Sequence, residues 1–243
     1  MTPWVAGADG CPGGWVVVLH PVAEPDKARV VRVATFRDLL ALTPEPKLIA
    51  IDIPIGLPDR IGPGGRECDI AARRVLGQRQ SAVFAMPSRA AVMCDDYRAA
   101  CTVAFATSDP PRKISKQAFN LFPKVREVDS LMTPALQERV REVHPEVAFW
   151  VLNGRSPLST PKKIKSRPNP EGLAQRAALL SSAGYDRAAV EHMWFPRHQA
   201  GADDIIDAFA NASAAVRILQ GCGVRFPDAP ARDGRGLKME ISG

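Results

Sequence analysis

The sequence predicts one α/β domain with a mixed sheet, an antiparallel three-strand meander joined to parallel strands and flanked by helices. Two apolar runs split by a glycine-rich turn give a hairpin, 4–8 and 15–19. The nearly unbroken apolar run LIAIDI at 48–53 suits a central strand covered on both faces. Late in the chain, GADDIIDAFANAS opens a helix with an apolar stripe through Ile205, Phe209, Ala212, Val216 and Leu219.

Taken in order, Asp9 ends the first strand and enters the turn of Gly10, Pro12, Gly13 and Gly14. Val30, Val31 and Val33 mark a third strand over 28–34, and Phe36, Leu39, Leu40 and Leu42 a short amphipathic helix. The strand 48–53 follows, reached by a helical crossover. Helices are expected at 66–76, 88–105 and 115–132, forming a helical insertion over about 60–138, and residues 139–144 give a fifth strand. The stretch 156–170 combines Pro157, Pro161, Pro168 and Pro170 with Lys162, Lys163, Lys165 and Arg167, the composition of an exposed, mobile basic arm. This basic loop and its neighbouring helices occupy about 155–200, with helices at 171–182 and 204–220, the latter ended by Gly221 and Gly223.

With 243 residues, 46% hydrophobic and 24% charged, the chain has the composition of a packed globular domain, read as a single domain over 1–243. No apolar run approaches the roughly 20 residues of a membrane-spanning helix and no targeting segment is apparent, so no membrane role and a cytoplasmic location are expected. Five cysteines without C-x-x-C spacing argue against a disulfide framework. The GPGG turn at 62–65 lacks the lysine and hydroxyl of a nucleotide P-loop. A net charge of +6 favours polyanionic partners.

The carboxylates carry the chemistry. Asp52 sits inside an apolar strand, so it must be ion-paired, for example to a buried arginine, hydrogen-bonded or metal-bound. Asp204 and Asp207 share a helix face at about 100° per residue, off the apolar stripe, and Asp203 suits the helix cap.

The segments GADGCPGGWVVVL and LIAIDIPIGLP and a late helix opening with D-x-x-D are similar to the ribonuclease-H-like superfamily, especially its Holliday-junction-resolvase branch. The chain resembles still more closely a bacterial and archaeal family labelled predicted ribonuclease-H-like nucleases, domain of unknown function 429. RECDIAARRVLG, SAVFAMPSR, SKQAFNLFPKVREVD and EVHPEVAFWVLNG carry that likeness over nearly the whole chain. The resemblance implies a ribonuclease-H-like fold and metal ligands at Asp9, Asp52, Asp204 and Asp207, with aspartate at the fourth strand where resolvases generally use glutamate. It implies Mg2+ or Mn2+, DNA or RNA as substrate, and hydrolysis of a phosphodiester by two-metal chemistry.

Glu146 is a further candidate, either as an outer-shell group or proton-transfer base or as a helix-start residue facing the dipole. His144 beside it suits water or phosphate positioning, or a structural role. Arg66, Arg89, Lys116 and Lys124 are candidates for phosphate contact, against ordinary solvated helix faces. Two other classes compete: an ATP-binding phosphotransferase of the actin and sugar-kinase type, and a nonenzymatic nucleic-acid-binding protein with a structural metal.

Overall fold

The computed structural model describes residues 2–165 and 167–243. Met1 and Ser166, both inside the expected domain and the latter inside the expected basic loop, lie outside the described residues. The protein is α/β, with a five-stranded mixed sheet ordered β3-β2-β1-β4-β5. Strands β1 (Trp4–Cys11), β2 (Gly14–Pro21) and β3 (Arg29–Val33) form an antiparallel meander. Strands β4 (Pro46–Ile51) and β5 (Val140–Glu142) run parallel to β1. Helix α1 (Phe36–Leu40) crosses from β3 to β4, started by Thr35, whose hydroxyl accepts from Asp38 N while Asp38 accepts from Thr35 N.

Between β4 and β5 lie α2 (Glu67–Leu76), α3 (Arg89–Val92), α4 (Tyr97–Ala106), α5 (Lys116–Leu131) and α6 (Pro134–Gln137). The single helix expected over 88–105 is two helices, because Ser88 caps α3 and Asp96 caps α4. After β5 come α7 (Pro145–Leu152), a short β6–β7 hairpin (Lys163–Ile164, Arg167–Pro168), α8 (Pro170–Ser182), α9 (Arg187–Glu191) and α10 (Ala202–Leu219). A final pair, β8 (Arg225–Phe226) and β9 (Ile241–Ser242), closes the described chain. No helix among the described residues is long and apolar enough to cross a membrane.

Strand alternation divides the core. Val5, Val16, Val18, Leu48 and Ala50 face α7, α8 and α10, and Ala6, Ala8, Val17, Ile49 and Ile51 face α1 and α5. Helix α10 lies very close to β1: a Cβ on Gly7 would come within 2.0 Å of the Ala212 nitrogen. Asn211 adds a hydrogen bond to the Ala8 carbonyl at 2.9 Å. Both contacts fix where the start of α10 meets the end of β1.

Candidate functional site

Two positions differ from the sequence reading by a step of register. Strand β1 continues to Cys11, so Asp9 pairs with Val16 inside it instead of ending it. Strand β4 stops at Ile51, so Asp52 lies just beyond it, its amide bonded to the Ala8 carbonyl at 3.1 Å. The β1–β4 ladder ends at the Ala8–Ile51 pair, so the next residue on each strand is an aspartate. Asp9 continues the alternation of Val5 and Gly7, and Asp52 that of Leu48 and Ala50, toward α10.

The first turns of α10 face them. Asp52, Asp207 and Asp204 all lie near enough to Asp9 to raise its pKa further, after burial, which is the largest cause. Burial also raises Asp52 and Asp204. Asp207, 2% exposed, is pushed up to about 6 by burial, against the lowering effect of Lys162. Four carboxylates from three separate segments are therefore buried around one end of the sheet, near enough for Asp9 to feel the other three. Asp204, not Asp203, completes the helix start, accepting from Gly201 N at 2.8 Å, while Asp203 pairs with Lys163.

A cavity of about 430 Å³ opens over this end, lined by Asp9, Asp52, Asp204, Lys124, His144 and Lys163 among others. Its size is that of a small-ligand pocket. Phe84, Met86 and Leu121 give it an apolar wall. His144 caps α7, its Nδ1 accepting from Glu146 N at 3.2 Å.

The accessory candidates separate. Lys124 is at the cavity, its ammonium 4.3 Å from the centre of the Trp15 ring and donating to the Gly14 carbonyl. Lys116 is exposed, 5.2 Å over the Tyr97 ring and outside the cavity wall. Arg66 lines the cavity but is 4% exposed and ion-paired, donating to Asp69 at 2.7 Å and to Glu142 Oε2 at 2.9 Å. Arg89 is likewise committed, paired with Asp129 and Asp233. Glu146, 4% exposed, lies behind the cavity and pairs with Arg176 at 2.6 Å.

The expected mobile arm is the largest departure. Lys162 turns inward to pair with Asp207, whereas Lys163 stays exposed and pairs with Asp203 at the start of α10. Ile164, Lys165 and Arg167 are exposed. Lys162 has no local sequence signal, because a Pro-Lys-Lys run reads the same whether it faces water or acids; only the surplus of carboxylates calls for an internal cation. Among the described residues, no three or more His, Cys, Asp or Glu side chains are grouped to hold a metal ion.

Over residues 7–232 the chain matches the family model described as Protein of unknown function (DUF429). The chain belongs to the DUF429 family. No curated protein and no solved structure matches it. In this DUF429 protein the matched span includes Asp9, Asp52, Glu146, Lys162, Asp204 and Asp207, so the whole acid cluster lies within the family region.

Proposed function

We propose that this protein is a divalent-metal-dependent nuclease that hydrolyses phosphodiester bonds of DNA or RNA at the cavity above Asp9 and Asp52. The observation that carries the reading is the burial of Asp9, Asp52, Asp204 and Asp207 around one end of the sheet, all with pKa values raised by that burial. Such a group persists in ionised form only beside cations. The donor set fits a hard ion: it is all carboxylate oxygen, and Asp207 Oδ1 is buried without a hydrogen-bond partner. Asp9 and Asp52 would hold Mg2+ or Mn2+, with Asp204 and Asp207 beside them. Bound there, the ion would supply an activated water and stabilise the charge developing on a phosphoryl group.

The chain's own residues supply the rest. Lys124, fixed over Trp15 at the cavity wall, neutralises a phosphate entering beside the β1–β2 turn. His144, held as the α7 cap with Nδ1 accepting from Glu146 N and Nε2 3.3 Å from the Ala82 carbonyl oxygen, shapes the cavity wall near Asp52. The order β3-β2-β1-β4-β5, antiparallel then parallel, with acids at β1, after β4 and on the last long helix, supports the ribonuclease-H-like resemblance. The lysines already paired with Asp207 and Asp203 favour one competing reading, a nonenzymatic nucleic-acid-binding protein.

Cleavage decides between them. Purified protein with Mn2+ is expected to cut at least one substrate in a panel of linear and branched DNA, RNA and hybrids. Asp9→Asn and Asp52→Asn should each slow cleavage by about 100-fold or more while leaving the fold intact by circular dichroism. No cleavage, or equal cleavage by wild type and both variants, refutes the reading.

A further inference from the structure

The acid cluster already contains a cation that belongs to the fold. Lys162 pairs with Asp207, and its ammonium is also favoured by Asp9 and Glu146.

Its backbone is clamped. Asn169 N donates to the Lys162 carbonyl at 2.8 Å, and Asn169 Nδ2 donates to the Pro161 carbonyl at 2.8 Å. Arg176, 0% exposed, donates through Nη1 to the Thr160 carbonyl at 3.0 Å and through Nη2 to Glu146 at 2.6 Å. Gly172 of α8 packs so closely that a Cβ there would lie 2.1 Å from the Pro161 oxygen. Three successive backbone carbonyls are thus bonded to Asn169 at the start of α8 and Arg176 within it, and the lysine stem leaves a fixed point.

The acids divide accordingly. Asp9, Asp52 and Asp204 line the cavity, whereas Asp207 and Glu146 lie behind it, facing Lys162 and Arg176. A second divalent ion against Asp207 would have to share its carboxylate with an ammonium already there. We propose that Lys162 is a permanent cation of the cluster standing in place of one of two metal ions, so that the site holds a single divalent ion on Asp9 and Asp52. This rests on the metal reading above. Magnesium is commonly carried by one or two carboxylates, with waters and substrate phosphate oxygens completing its octahedron.

The test is Mn2+ titration of the full chain, with free Mn2+ read by electron paramagnetic resonance, in wild type, Lys162→Arg and Lys162→Met. Wild type and Lys162→Arg are expected to bind one Mn2+ per chain, and Lys162→Met, which keeps the stem and loses the charge, two. Two ions in wild type, or one in Lys162→Met at the wild-type affinity, would overturn the role of Lys162 and leave the metal reading standing. No ion in wild type but binding by Lys162→Met would overturn it in favour of a blocking lysine. No binding by any of the three removes the metal reading as well. Should Lys162→Met fail to fold, the other two decide: one ion supports the proposal and two overturn it.

Discussion

Arg66 illustrates how one buried cation organises several acids. Its guanidinium serves both Asp69 and Glu142, and Glu142 Oε2 also accepts from Ile55 N at 2.6 Å. Burial pushes Glu142 up to about 7 from its ordinary 4.5, against the lowering effect of Arg66. The folded state then holds this proton more tightly than the unfolded chain, so stability present below about pH 4.5 is lost as pH rises toward about 7. The loss is at most about 3 kcal/mol. Glu142→Gln should flatten the stability profile across that window in urea titrations at a series of pH values; an unchanged slope would assign the dependence elsewhere. The arginine was legible as a helix-start residue, but its partner is 76 positions away on β5, and a sequence without that strand's register does not connect them.

Elements bring the acids together. Helix α10 meets β1 only because residue 7 has no side chain: a Cβ there would also lie 2.3 Å from the Ala208 carbonyl oxygen. Backbone atoms cannot yield as a side chain can, so Gly7→Ala should lower stability by about 2 kcal/mol or more by denaturant unfolding. It should also weaken Mn2+ binding, since Gly7 lies on β1 two residues before Asp9; wild-type stability would contradict the packing account. The Arg176–Glu146 pair links α7 to α8, and removing the cation leaves a buried carboxylate, so Arg176→Met should cost about 3–5 kcal/mol. Strand positions were readable because period-two and continuous apolar runs have few alternative explanations. The break between α3 and α4 was marked by Asp96, a good cap masked by the helical pattern around it. The inward turn of Lys162 was not readable, since it is set by the clamp to α8 and not by local composition.

At the scale of the whole molecule, the net charge of +6 coexists with a carboxylate-rich end, so the proposed nuclease would hold a polyanion's backbone with surfaces other than the acid cluster. Lys165 and Arg167 remain exposed on the hairpin. Changing both to Gln should reduce the magnitude of the log-affinity against log-salt slope by ~0.9 per lost phosphate contact on duplex DNA. An identical slope would make the hairpin tip a solvated loop only. Saturating Mn2+ at about 100 times its Kd should raise the melting temperature by about 5–10 °C, less in Asp9→Asn. The most direct measurement of the central claim is anomalous diffraction from a crystal soaked with Mn2+. The account predicts one peak within coordination distance of both Asp9 and Asp52, with the Lys162 ammonium still on Asp207; no peak at these aspartates, or a site elsewhere on the chain, would contradict it.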